Sequence, residues 1–253
     1  MTCKIDYRPA PDLLKHRVIL VTGAGDGIGR CAALSYARAG ATVILLGRTL
    51  EKLERVYDEI EAAGGPQPAI FPMNIEGATL DDFDDMARRL NKEFGRLDGV
   101  LHNAGLLGEI MRFEEYEPEL WDQVMQVNVN GPIWMTQSLL PLLEHSEDAS
   151  LIFTSSSVGR RGRAQWGAYS VSKFATEGFM EVLADEFKEQ VNLRINTLNP
   201  GATRTDMRAG AYPEEDPLTL RTPEQIMPTY LWLMGPDSRG VSGQKIDAQP
   251  PKG

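Results

Sequence analysis

Tyr169 and Lys173 stand four residues apart in the run Tyr169-Ser170-Val171-Ser172-Lys173. In a helix they share a face, one turn apart. A phenol is an acid of pKa about 10, and a neighbouring ammonium favours its anion. The pair is therefore suited to exchanging a proton with an oxygen atom near neutral pH. Helical spacing continues through Val171, Phe174, Ala175, Phe179, Val182 and Leu183, with Glu177, Glu181 and Glu186 between them, which predicts an amphipathic helix. On its own, such a pair belongs as readily to an ordinary helix. What the rest of the chain places beside it decides its meaning.

Upstream, Val18 to Val21 reads as a short buried strand. Thr22-Gly23-Ala24-Gly25-Asp26-Gly27-Ile28-Gly29 follows it directly, then Cys31, Ala32, Ala33, Leu34, Tyr36 and Ala37 at helical spacing up to Gly40, and a second strand from Ala41 to Leu46. Glycines in a strand-to-helix turn let the backbone approach a pyrophosphate, and the helix N-terminus offers free N–H groups to it. A tight turn without a ligand is the plainer alternative. The strands on both sides favour a nucleotide.

The loop Thr22-Gly23-x-x-x-Gly27-x-Gly29 resembles that of the short-chain dehydrogenases/reductases, and the resemblance implies NAD or NADP. At the end of the second strand a carboxylate suits the ribose 2′-OH and a cation the 2′-phosphate. Gly47-Arg48 stands there, and a guanidinium grips phosphate bidentately, so NADP(H) is expected over NAD(H). Asp26 counts against this, because relatives that use NADP often carry a base in that loop. Asn74-Ile75 falls where relatives keep Asp and an aliphatic residue against the adenine. Asn103-Ala104-Gly105 is similar to the family's N-A-G segment beside the cofactor.

In the second half, Pro118 to Leu143 reads as one long helix, apolar on more than one side, and such a helix is buried twice. Within it Asn128-Val129-Asn130-Gly131 is similar to the family's N-V-x-G, whose first Asn holds a water linked to the catalytic lysine. Ser155-Ser156-Ser157 ends a strand, and Ser156 precedes Tyr169 by thirteen residues, the family's serine-to-tyrosine separation. Ser155 and Ser157 are the alternatives of register. Pro200-Gly201-Ala202-Thr203-Arg204-Thr205 resembles the family's P-G-x-x-x-T beside the nicotinamide, which implicates Pro200, Gly201, Thr203 and Thr205. The resemblance thus implies a catalytic set of Asn128, Ser156, Tyr169 and Lys173, with Tyr169 and Lys173 also touching cofactor. Relatives often close with D-G-G, whereas Asp247-Ala248-Gln249 stands here.

The chain has 253 residues, a formal net charge of −10 and two cysteines, Cys3 and Cys31. No basic block suggests a nucleic-acid partner, no apolar run reaches membrane-spanning length, and no signal region precedes the first strand. A cytoplasmic protein is expected. The alternation of elements predicts an α/β, doubly wound, Rossmann-like parallel sheet of about seven strands with helices on both faces. One domain would span 18–253 behind an N-terminal arm at 1–17, with 208–223 as a substrate lid. The family's habit implies a homodimer or homotetramer. The expected activity is hydride transfer between NADP(H) and the carbonyl or alcohol of a small molecule. The rival is a catalytically silent NADP(H)-binding sensor or scaffold.

Overall fold

In the computed structural model, which describes residues 3–250, the apolar runs become strands and the helical periodicities become helices between them. The first half comprises β1 (Val18–Thr22), α1 (Gly27–Arg38), β2 (Thr42–Gly47), α2 (Leu50–Ala62), β3 (Ala69–Pro72), α3 (Leu80–Phe94) and β4 (Gly99–His102). There follow α4 (Pro118–Met125), α5 (Gly131–Glu144), β5 (Ala149–Thr154), α6 (Gly167–Glu186), β6 (Leu193–Asn199), α7 (Asp206–Ala211), α8 (Pro223–Met234) and β7 (Lys245–Asp247).

The strands pair in the order β3-β2-β1-β4-β5-β6-β7, every pair parallel. A parallel sheet needs both faces covered. Because side chains alternate along a strand, Ile19, Val21, Val43 and Leu45 meet α1, α2 and α8 through Ala33, Val56 and Tyr230. Leu20, Ile44, Leu46 and Val100 turn to the other face, against Phe83, Met135 and Met180 of α3, α5 and α6. Each such aliphatic side chain contributes about 1.5–3 kcal/mol on full burial, so both layers are held by the same force. This is the doubly wound, Rossmann-like α/β fold. Strand order reverses between β1 and β4, which opens a crevice beyond their C-terminal ends.

The N-terminal ends of the strands are tied by charge. Asp98 accepts from the Val18 N–H at 2.8 Å and from Ser146 Oγ at 2.6 Å. Asp148 pairs with Arg17 at 2.9 Å and with the buried Arg194. Burial, helped by the charges of Arg17 and Arg239, pushes Arg194 down to about 10.

Three regions carry structure that the sequence did not show. The N-terminal segment is more than a surface arm: it runs in turns, seats Leu14 fully in the core, and bonds Tyr7 Oη to Asp237 at 2.7 Å. The long helix is interrupted by a π turn over Gln126–Asn130. Pro132 has no N–H to close onto the Asn128 carbonyl, and a Cβ at Gly131 would lie 2.2 Å from Ile75 Cγ2. The stretch after β6 is folded, because the Thr205 side chain caps α7 and a 3-10 turn forms at Pro217–Thr219.

Candidate active site

A cavity of about 540 Å3 lies in the crevice, and the glycine loop, the ends of β2 to β6 and the start of α7 line it. Gly23 and Gly27 take left-handed φ values of 66° and 50°, which side chains disfavour. Asp26 caps α1, accepting from the Gly27 N–H at 2.8 Å. A Cβ on Gly23 would stand 3.1 Å from Ala104 Cα, so the loop lies flush on the next strand's end. Thr22 Oγ1 fastens that junction by accepting from the N–H groups of Asn103 and Ala104 at 2.9 and 3.0 Å.

Gly25, Asp26, Gly27, Ile28 and Arg48 line the cavity, with Asn74 and Ile75 beyond them and Asn103 to Gly105 across from them. Gly29 does not. Its Cβ would meet the Gly23 carbonyl oxygen at 2.2 Å, so this glycine serves the turn's own packing. The charge of Asp26 is compensated by Lys52, whose Nζ lies 2.5 Å from Asp26 Oδ2. That hydrogen bond is the main reason the Asp26 carboxyl is held below its ordinary value. Lys52 also lines the cavity and was missed in the sequence. Its place four residues after Arg48, in the first turn of α2, was the available signal.

At the far end Tyr169, Lys173 and Ser156 meet. Ser156 sits in extended backbone after β5 and caps a short 3-10 turn, and its hydroxyl hydrogen-bonds the Tyr169 phenol. The neighbouring serines point elsewhere: Ser155 is buried and donates to Glu177, and Ser157 is exposed. Gly159 lets α6 close in, since a Cβ there would lie 2.6 Å from Lys173 Cβ.

The electrostatics depart from expectation. Burial is the largest influence on Tyr169 and pushes its phenol up to about 12, with the Ser156 hydrogen bond pulling the other way. Lys173 stands 5.6 Å from the centre of the tyrosine ring and donates to the Thr154 carbonyl at 2.8 Å. Burial lowers Lys173 to about 8, and Glu177 opposes that shift. At neutral pH the site therefore holds a protonated phenol beside a mostly charged amine.

Asn128 lies in the π turn and behind the cavity wall rather than on it. Its Oδ1 accepts from the Leu106 N–H at 2.7 Å, and both amide hydrogens are engaged, with the Leu106 carbonyl at 2.8 Å and Ser172 Oγ at 3.0 Å. It holds the strand-end loop to α6. His102 is a core residue, stacked on Phe153 and bonded to Thr136 at 2.9 Å. Burial pushes its imidazole down to about 3.

Pro200, Gly201, Thr203 and Thr205 line the same end. Gln249 clamps their loop, donating to the carbonyls of Pro200 and Ala202 at 2.8 and 3.1 Å. The tail that departs from D-G-G thus supplies its own contact. Behind the site, Glu177 accepts from Arg160 at 3.0 Å, and Arg160 reaches Asp247 at 2.8 Å. Trp166 and the Arg208 to Ala211 face of α7 complete the wall.

A sequence profile of the short chain dehydrogenase family matches residues 17–216. The chain belongs to the short-chain dehydrogenase/reductase family. This short-chain dehydrogenase/reductase is 58% identical over 244 residues, 96% of each chain, to the uncharacterised oxidoreductase YciK of Escherichia coli. It superposes with a TM-score of 0.93 on a short chain dehydrogenase of Escherichia coli CFT073 complexed with NADPH, at 59% identity over 96% of this chain and 100% of that one. A Shigella flexneri relative complexed with NADP gives a TM-score of 0.93 at 58% identity, over 95% and 100% of the two chains.

The residues fit a dinucleotide. The glycine turn presents bare backbone to the cavity. Arg48 lines it exposed, with no ion pair among the described residues. Thr154 Oγ1 is buried at its inner wall without a hydrogen-bond partner.

Proposed function

We propose that this oxidoreductase uses NADP(H) to interconvert the carbonyl and alcohol forms of a small molecule. The observation that carries the reading is one cavity holding the glycine turn at one end and the Ser156–Tyr169–Lys173 cluster at the other. Gly23 to Gly27 and the start of α1 would hold the pyrophosphate, and Arg48, with Lys52 beside it, the 2′-phosphate. The NADP- and NADPH-bound relatives support that choice over NAD. When bound, the nicotinamide supplies or accepts the hydride.

The chain's own groups manage the oxygen. Tyr169, protonated at neutral pH, gives its proton to the carbonyl oxygen in reduction and recovers it from the alcohol in oxidation. The Ser156 hydroxyl hydrogen-bonds that same oxygen and holds it against the phenol. The Lys173 ammonium favours the phenolate left behind and would hold the nicotinamide ribose. Asn128 positions the Leu106 loop and, through Ser172, the helix that carries Tyr169 and Lys173.

In the test, Tyr169→Phe loses about 10²–10⁴-fold in turnover while NADPH still binds, as read by nucleotide fluorescence. Wild-type turnover in that variant would refute the assignment.

A self-associated protein is proposed as well. Val171, Phe174 and Val182 of α6 and Trp134 of α5 are each 42–55% exposed, apolar surface that a second copy would cover. Cytoplasmic residence is proposed from the two free cysteines, Cys3 and Cys31, as expected in a reducing compartment.

A further inference from the structure

Trp166 sits between two residues with left-handed backbone. Gln165 before it has φ of 72° and Gly167 after it φ of 28°. A non-glycine residue in the left-handed region is strained and is held there by its surroundings. Here the restraints are visible. The Gln165 carbonyl accepts from the Met111 N–H at 3.1 Å, and a Cβ on Gly167 would lie 2.9 Å from the Tyr116 ring. The turn delivers Trp166 to the cavity wall, its ring centre 5.7 Å from that of Tyr169. Tyr212, just past α7, backs that ring, 5.8 Å from Trp166.

Leu107, Ile110 and Ala211 fill in around these rings, so the cluster at Tyr169 is apolar. Two arginines pack on these rings. Arg208 stacks 3.7 Å from the Tyr212 ring centre and is gripped by both oxygens of Glu215 at 2.6 and 2.9 Å. Arg163 donates to Tyr212 Oη at 2.5 Å. These contacts stiffen the aromatic wall, and the surface beside Tyr169 is apolar.

We propose that Trp166 and Tyr212 are specificity-determining residues, and that the substrate is an uncharged carbonyl compound, or the matching alcohol, carrying a flat apolar ring next to the reacting carbon. This rests on Tyr169 as the proton donor: a ring lying against Trp166, which Tyr212 holds from behind, brings the attached oxygen to the Tyr169 and Ser156 hydroxyls. Flat rings gain from aromatic faces beyond the area they bury, whereas a flexible chain loses rotamer freedom on being held. Most of the cavity is assigned to the dinucleotide, so the ring is a small one.

The test uses the full chain with NADPH and three probes: benzaldehyde, heptanal of equal carbon count, and the para-carboxylated benzaldehyde. Benzaldehyde is expected to exceed both others in kcat/KM by about tenfold, the scale of one good aromatic contact together with its buried area. Tyr212→Leu and Trp166→Leu lower the benzaldehyde-to-heptanal ratio of kcat/KM by about tenfold, chiefly through KM for benzaldehyde, and Trp166→Phe restores most of that ratio. Unaltered NADPH affinity and melting temperature show that the fold is intact. Heptanal or the carboxylated ring turned over as fast as benzaldehyde overturns this inference and leaves the oxidoreductase reading standing. NADPH binding without turnover of any probe removes that reading, and this inference with it.

Discussion

Glu177 touches neither substrate nor cofactor in the proposed reaction, yet its removal should move the reaction's pH dependence. It is 2% exposed, one helical turn beyond Lys173, and its charge is what opposes the downward shift of that lysine. Residues one turn apart have Cβ atoms about 5–6 Å apart. Two unit charges about 6 Å apart at an effective dielectric constant of about 20 interact by roughly 3 kcal/mol, or about two pK units. Arg160 at 3.0 Å and Lys245 at 4.0 Å already share the carboxylate, so about one unit remains for Lys173. Glu177→Gln should therefore carry Lys173 from about 8 to about 7. Half of the lysines would be uncharged at neutral pH, where the parent keeps most of them charged.

The folded value of Lys173, about 8, lies below the unfolded one, about 10.4, so the charged lysine costs stability in full below the folded value, and the cost fades as pH rises from the folded value to the unfolded one. The extra deficit of the variant from this source is greatest below about pH 6 and gone above about pH 9. NMR titration of ¹³C-labelled lysine reads the midpoint directly, and the alkaline limb of NADPH-dependent turnover should follow it. A Lys173 midpoint that stays at its parent value, or rises, would show that the buried carboxylate does not act on the amine.

Arg48→Ala should weaken NADPH by about tenfold or more and leave NADH within about threefold, since one charge-assisted phosphate contact is worth about 1.5–3 kcal/mol; equal losses for both nucleotides in fluorescence titrations would refute its assignment to the 2′-phosphate. Asp148→Ala leaves Arg17 and Arg194 unpaired below the sheet. It should cost about 3–5 kcal/mol, a fall in melting temperature of about 6–20 °C at this chain length, and an unchanged melt by calorimetry would refute the tie. Phe174→Glu places a charge in the proposed self-association surface and should shift the sedimentation coefficient toward that of a monomer, and identical sedimentation of parent and variant would remove that surface from the interface.

The architecture was legible because it rests on periodicity. The runs from Val18, Ala41 and Ser150 have to be strands covered on both faces, and the helices between them carry one dominant apolar side. The glycine turn was legible for a local reason, since Gly23 and Gly27 need backbone angles that other residues avoid. What stayed hidden depends on residues far apart in the chain. Nothing at Lys52 tells that it lies against Asp26, because α1 and α2 must first pack side by side. Trp166 reads as any aromatic until the left-handed Gln165 is seen to hold it in place. The π turn at Asn128 follows from Pro132 and from Ile75 pressing on Gly131, the second a contact across the fold. The phenol of Tyr169 showed the same limit. Its neighbouring cation was visible in the spacing, but the burial that outweighs the cation comes only from the assembled cavity.

Gln249 has one further bearing. Through its amide, the residues after β7 hold the Pro200 to Thr203 turn in place, and the preceding Ala248 carbonyl is anchored to Thr229 of α8 at 3.1 Å. Replacing Gln249 would therefore loosen the Pro200 to Thr203 side of the cavity from α8, so a change outside the catalytic cluster would reach its wall through the backbone.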